Sequence, residues 1–348
     1  MQKNKKIGCL FLLLSSPLTM AMQPMDDNSL ASTTGQDGIT VGVKLDQVEF
    51  KQAGFIDSDG LSYTGYTSPT YANKGGLVLA GNSTTGPNAG VQFIRSGTSS
   101  PTFNLVMDSD AGTPASGGAF ANIAFSFGAD VTGIRILPFS VYMAGVNSLS
   151  TVAGTTYTVN PIFSTGTTPK SDVKEILRTG VIDIAFASNK PTINLQLGAS
   201  PQGHMIMFGG AIDSICGSGI GCNIMLVSDY VTPGNTTTAP VGASFNFQLK
   251  GHNHIVRDSS GVITSQTYNP FSLSGFYAGV ESGGFVFGNQ GTSSQFDLSL
   301  NNISLGTAGA ASVGPNPAVF NHLPNGSIGN VGMVGASVTN LKMNVKGM

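Results

Sequence analysis

The chain has 348 residues, of which 47 are glycine and only 10% are charged, and it contains no tryptophan. This composition is typical of a β-rich chain with many turns and argues against a helical or disordered one. The formal net charge is −2 at pH 7 and no basic cluster is present, so nucleic acid is not an expected partner.

The first 21 residues have the pattern of a secretory signal peptide. Lys3, Lys5 and Lys6 form a positive n-region, residues 7–14 form an apolar run, and Thr19-Met20-Ala21 supplies small residues for cleavage. The apolar run is far shorter than the ~20 residues that span a bilayer. We therefore predict an exported protein, in the periplasm, on the cell surface or in a pilus, without a transmembrane helix.

Cleavage after residue 21 divides the chain into three parts: a signal peptide (1–21), a flexible acidic leader (22–37) and one β-rich domain (38–348), either single or built as two packed halves. Without the signal, 13 basic residues stand against 18 acidic ones, a formal charge of −5. The mature protein is therefore mildly acidic.

Residues 38–50 alternate strictly between apolar and other side chains. Ile39, Val41, Val43 and Leu45 share one side, the period-two pattern of a strand with one apolar face. Such a strip pairs either as the first strand of the protein's own sheet or as a strand donated to a neighbouring subunit. Both interpretations stay open at the level of sequence.

The same alternation recurs along the chain, between clusters of Gly, Pro, Asn and Ser that indicate turns. It predicts strands at residues 39–45, 103–107, 123–127, 182–186, 193–197, 245–249 and 296–300. The fold class that follows is all-β, as a large antiparallel β-sandwich or an elongated β assembly with long loops, with a β-roll or solenoid as the alternative.

One helix is predicted in the mature chain, over the segment that follows Asp172. Asp172 would cap it, Glu175 would take the third helical position, and Gly180 would end it.

Two aspartate-rich turns resemble the beginnings of calcium loops. Asp57-Ser58-Asp59-Gly60 and Asp108-Ser109-Asp110-Ala111-Gly112 both lack a glutamate at the twelfth position, where Ser68 and Ala119 stand instead. Turns closed by Asp side chains are the preferred interpretation.

Cys216 and Cys222 remain after the signal and its Cys9 are removed, separated by five residues that include three glycines. In an oxidising compartment such a pair predicts a small disulfide ring. Two thiols supply too few ligands for a structural zinc site.

The four histidines belong to no recognisable catalytic motif, and we predict no catalytic, cofactor-binding or metal-binding residues. His252 and His254 would lie on one face of a strand, about 7 Å apart, but no third metal ligand can be named. Two polar residues on an edge strand explain them more simply.

The opening of the mature chain resembles a known family. Met25-Asp26-Asp27-Asn28-Ser29-Leu30, followed by Gly35-Gln36-Asp37-Gly38-Ile39-Thr40-Val41 and directly preceded by a signal peptide, is similar to the mature start of FilA-type proteins. Residues 193–198 with 201–203, and residues 329–332, are similar to later parts of it. FilA-type proteins are pilus-system components of Gram-negative bacteria. The resemblance implies a surface or pilus-associated protein and carries no catalytic residues.

The sequence thus predicts a non-enzymatic, exported structural protein that contributes to pilus assembly or adhesion, with pilus or surface-assembly proteins as partners. The alternative is a periplasmic or secreted carbohydrate-binding module or hydrolase. A carbohydrate site normally exposes aromatic side chains, whereas Trp is absent and Tyr numbers eight.

Overall fold

The structure is a computed structural model. It describes residues 38–57, 73–82, 85–149, 151–153, 156–158, 161–231, 238–308, 320–321 and 327–346. The chain divides into two compact units, Met1–Ile39 and Thr40–Met348, and the fold described below is that of the second. The predicted signal peptide, the acidic leader and His322 lie outside the described residues, as do Ser58, Asp59 and Gly60.

The described chain is almost entirely strand, with two 3-10 turns at Pro114–Ser116 and Val146–Ser148. The all-β prediction is confirmed. The strands are β1 (Ile39–Lys44), β2 (Gln47–Phe50), β3 (Gln52–Asp57), β4 (Gly75–Ala80), β5 (Ala89–Arg95), β6 (Thr102–Asp110), β7 (Phe120–Phe127), β8 (Val131–Ile136), β9 (Ser140–Ala144), β10 (Thr151–Ala153), β11 (Thr156–Thr158), β12 (Phe163–Thr165), β13 (Thr168–Pro169), β14 (Val173–Thr179), β15 (Ile182–Phe186), β16 (Thr192–Gly198), β17 (Ile206–Gly209), β18 (Ala211–Ile215), β19 (Cys222–Val231), β20 (Thr238–Arg257), β21 (Ile263–Asn269), β22 (Phe271–Ser272), β23 (Phe276–Glu281), β24 (Gly284–Asn289), β25 (Phe296–Ala308), β26 (Phe320–Asn321), β27 (Ser327–Ala336) and β28 (Lys342–Val345).

Two sheets contain nearly all of these strands. The smaller has eight, in the order β1-β6-β7-β16-β17-β23-β24-β28, and we call it the small layer. The larger contains a second row of eight, β2-β5-β8-β15-β18-β20-β25-β27, which we call the large layer. In both rows the spatial order is the chain order, and the chain moves between the layers through short corners such as Leu45-Asp46 and Gly128-Ala129-Asp130.

Aromatic rings join the two layers into a sandwich. Phe103 of β6 packs edge-on against Phe93 of β5, with ring centroids 4.5 Å apart. Phe127 of β7 lies 4.6 Å from Phe186 of β15, and Phe276 of β23 contacts Phe271 of β22 at 5.6 Å. The predicted strands β6, β7 and β15 therefore place aromatic side chains of their apolar faces between the layers, as sandwich packing requires. The predicted strand β16 differs, since Ile193 and Leu197 are exposed and Gln196 is buried.

The large sheet extends beyond the sandwich, and five of its strands are interrupted at the same level. The strands β3, β4, β9, β14 and β19 pair in the same order as β2, β5, β8, β15 and β18. Because each member of the first set adjoins its counterpart in sequence, the ten strands are five long strands broken at one level. We call this line of breaks the crease.

A second hydrophobic core lies beyond the crease. Val78, Tyr142, Ile162 and Val173 are buried together, and Phe163 packs against them. The Tyr142 hydroxyl donates to Gly81 O across 3.0 Å, and burial raises the pKa of Tyr142 to about 12. This core joins β4, β9 and β14 beyond the crease.

The predicted helix after Asp172 is wrong, because this segment is the central strand β14. Its backbone pairs with β9 on one side and β19 on the other, so both ladders satisfy groups that a helix would satisfy internally. The register shifts between Glu175 and Leu177. This bulge brings Glu175 and Arg178 to the same side, which reproduces a helix-like spacing in a strand.

All seven predicted strand segments are strands in the structure, although the first is shorter than its pattern. Leu45 belongs to a corner instead of β1, because Leu45 N donates to Pro101 O and Phe93 N donates to Asp46 O. The segment 38–50 is therefore two strands, β1 in the small layer and β2 in the large one. From β2 onwards, paired strands in both sheets run antiparallel, as in a sandwich and unlike a parallel solenoid.

Candidate assembly edges

The first strands of the domain form one lateral edge of both layers. β1 ends the small layer and pairs with β6, and β2 ends the large layer and pairs with β5. We call β1 and β2, with β3 beyond the crease, the leading edge. Every described residue of β1 is exposed, so the predicted strand-pairing residues Ile39, Val41 and Val43 lie on an open strand, while Leu45 is half-buried at the corner.

The last described strands form the opposite edge of both layers. β28 ends the small layer beside β24, and β27 ends the large layer beside β25. We call β27 and β28 the trailing edge. Val334 is 79% exposed and Val345 is 65% exposed, so this edge presents apolar side chains to solvent as the leading edge does.

The edge strands contain no proline and few charged residues. Natural edge strands are commonly blocked by charge, proline or a covering segment. β27 contains no charged residue and no proline over ten residues, and β1 has one charge, Lys44 next to the corner. Within the described part of the chain, each of these four strands, β1, β2, β27 and β28, has a strand neighbour on one side only.

The three histidines in the described part of the chain contact neighbouring side chains. His252 is buried and its Nδ1 lies 2.7 Å from Asp297 Oδ1, while His254 is exposed with its ring centroid 6.2 Å from that of His252. His204 stacks on Tyr277 with centroids 3.6 Å apart. Among the described residues no three metal-ligating side chains converge.

Asp297 is the hub of a small polar cluster that joins β25 to β20 and β27. Besides His252, it accepts hydrogen bonds from Gly335 N at 2.8 Å and from Asn253 N. Burial opposes ionisation, but the hydrogen bonds from Gly335, His252 and Asn253 outweigh it, so the pKa of Asp297 lies below its usual value.

The aspartate-rich segment 108–112 begins in β6, where Asp108 and Asp110 lie opposite Asn122 and Phe120, and it continues into the turn that follows. Asp108 Oδ1 accepts from Ser109 N at 2.7 Å and Asp110 Oδ1 accepts from Gly112 N at 2.6 Å. These are the turn-closing contacts expected of Asp side chains. Asp57, the other described residue of the calcium prediction, ends β3.

The predicted disulfide between Cys216 and Cys222 is present, with Cα atoms 5.2 Å apart. It closes the loop between β18 and β19 at the crease. Ile215 lies opposite Leu249 and Cys222 lies opposite Phe247, so residues 216–221 stand opposite Gln248 alone. Gln248 Nε2 stabilises this loop by donating to Cys216 O at 3.2 Å and Gly217 O at 3.1 Å.

One shallow depression of about 420 Å³ lies at the open end of β6, β7 and β16. Apart from Ser109 and Asp110 its lining is apolar, with Phe120 and Leu197 as the large side chains.

Comparison with known proteins adds one finding. A family described as being of unknown function, DUF6160, matches residues 1–91. No curated protein and no solved structure matches the chain. The matched residues include the leading edge and extend into β5.

No helix within the described residues has both the length and the apolar character needed to cross a membrane.

Sequence reasoning singled out the leading edge but missed the trailing edge and Asp297. Glycines at 329, 332 and 335 interrupt the alternation of β27, and its register shifts three times against β25. The signal that remains is the uncharged, proline-free stretch itself, which is typical of segments prone to strand pairing.

Proposed function

We propose that this protein is an exported structural component of a surface or pilus assembly. The observation that supports this most is the exposure of apolar side chains on proline-free strands at both lateral edges of a two-layer sheet. Added strands gain backbone hydrogen bonds along an edge and pockets for alternate side chains. A protein with two such edges is suited to holding neighbours in a larger structure.

The start of the chain supports the same proposal. A signal-like segment and the opening motif of the resemblance to FilA-type pilus components both lie within residues 1–91, the part that matches the family of unknown function. The disulfide is consistent with an oxidising compartment. Function then resides in extended surfaces, and no reaction is assigned.

The test is expression of the full chain in a Gram-negative host, followed by cell fractionation, protease shaving and N-terminal sequencing. We expect mature protein at the cell surface that begins at Met22, and fibres or large assemblies by immunogold electron microscopy. A chain retained in the cytoplasm with Met1 intact would overturn the proposal. A monomer in the periplasm that binds a carbohydrate resin would favour the binding-module alternative instead.

A further inference from the structure

We propose that the leading edge of one molecule pairs with the trailing edge of a second copy, β1 against β28 and β2–β3 against β27. Both layers would then continue from copy to copy. This inference rests on the proposed function, and it names the partner as the same chain and the arrangement as head-to-tail.

Strand direction permits this pairing without reorienting the second copy. Each layer is a row of eight strands. Neighbours run antiparallel throughout the large layer and from β6 to β28 in the small layer. In the small layer β1 leads into a corner, whereas β28 leads away from one. First and last strands of an even antiparallel row run in opposite directions, so a second copy in the same orientation presents an antiparallel partner.

The lengths of the two edges match layer by layer. β2 and β3 with Lys51 between them span residues 47–57, and β27 spans ten residues. In the small layer β1 has six residues and β28 has four. Antiparallel pairing can therefore extend along both layers at once, so the contact is longer than either layer would make alone.

The position of the corner favours the head-to-tail arrangement over a two-fold one. In a head-to-tail pair the corner before β2 lies beside the corner after β27. A two-fold pair of leading edges reverses one copy and places its corner beside the open end of the other. Head-to-tail contacts do not close on themselves, and repetition therefore gives a filament.

In the large layer, charge is compatible with the same choice. The leading edge there carries Glu49, Lys51 and Asp57, while β27 carries no charge, so pairing with β27 places no like charges opposite one another. Such opposition is destabilising in a sheet. In the small layer the pairing brings Lys44 of β1 near Lys342 of β28, whose charge is compensated by Glu281 of its own chain at 2.9 Å.

Two variants separate this arrangement from the others. A leading-edge variant carries Val41→Lys and Val48→Lys, and a trailing-edge variant carries Val334→Lys and Val345→Lys. All four side chains are exposed, so we expect both variants to fold, with an unchanged β-type circular dichroism spectrum and no free thiol. A control variant with Val146→Lys and Val262→Lys changes equally exposed residues away from both edges.

The mature chain and its variants are compared by light scattering and analytical ultracentrifugation. We expect the wild type and the control to form an open series of oligomers. Each edge variant should self-associate at least about tenfold more weakly, because charge on an edge strand opposes pairing. Mixing the two edge variants should produce a 1:1 heterodimer, since each then supplies the edge that the other lacks.

Other outcomes overturn the inference. Two-fold pairing of leading edges predicts dimers of the trailing-edge variant alone and no new species on mixing. A wild type that stays monomeric at all concentrations, while being found at the cell surface attached to other proteins, would refute pairing between copies. The proposed function would survive that result. A cytoplasmic chain with Met1 intact would refute the proposed function, and the mixing experiment would then test only whether copies of the chain pair.

Discussion

Cys216 and Cys222 act at the scale of single residues by keeping β18 and β19 in line along β20. The ring they close is small, and the loop-entropy estimate gives it about 2 kcal/mol. We expect the double variant Cys216→Ala, Cys222→Ala to remain folded and to lose about that amount of unfolding free energy, measured by urea denaturation. Ready alkylation of both thiols in exported wild-type protein without reductant would contradict the disulfide.

Asp297 makes stability depend on pH. Because its pKa in the folded state lies below the ordinary value of 3.8, the unfolded state binds its proton more readily. The stabilisation is therefore present above about pH 4 and is lost as the pH falls through the folded pKa.

We expect Asp297→Asn to be less stable than the wild type at pH 7 and to show a smaller loss of stability between pH 4 and pH 2. The measurement is the free energy of unfolding across that range. Asp258→Asn is the control, since Asp258 is exposed and an Asn oxygen can still accept from Ser260 N and Val262 N. Equal pH profiles for the wild type and Asp297→Asn would contradict the role of this cluster.

At the scale of elements, β14 is a bulged strand where the sequence predicted a helix. Its ion pair between Glu175 and Arg178 is largely buried, with side chains 15% and 12% exposed, and Glu175 also accepts a hydrogen bond from Ser140. Removing one partner leaves a buried charge, a change that typically costs about 3–5 kcal/mol.

We therefore expect Glu175→Gln to lower the unfolding free energy by at least about 2 kcal/mol. The matched control is Glu281→Gln, which breaks the exposed pair with Lys342 and should change stability by less than about 1 kcal/mol. Similar small losses for both variants, by thermal and urea denaturation, would show that the bulge does not depend on this pair.

The elements differ in how far sequence reasoning reaches them. Phe103, Phe127 and Ile184 were predictable because a strand's two faces repeat every second residue. β14 was not, because its local spacing fits a helix and only pairing with β9 and β19 decides otherwise. The crease was also hidden, since each interruption, such as Gly180-Val181, looks like an ordinary turn until neighbouring strands are aligned.

At the scale of the whole molecule, the sandwich core and the exposed edges contribute differently to stability. Phe103 is buried among aromatic rings of both layers, whereas Phe55 of the leading edge is 82% exposed. We expect Phe103→Ala to cost about 3–5 kcal/mol of stability and Phe55→Ala to cost less than about 0.5 kcal/mol. Denaturation of the monomeric leading-edge variant provides the common background; a comparable loss at Phe55 would mean that β3 is part of the core.

The layer order of this fold also bears on how the chain can be made. Because each row follows the chain from β1 to β28, every strand joins a sheet whose earlier strands already exist. A chain that crosses a membrane N-terminus first can therefore fold progressively during translocation, without holding early strands open for late ones. Under the proposed export and pairing, the leading edge would be complete at the beginning of this process and the trailing edge at its end, so a molecule still in transit would offer an edge to one neighbour before it could bind the next.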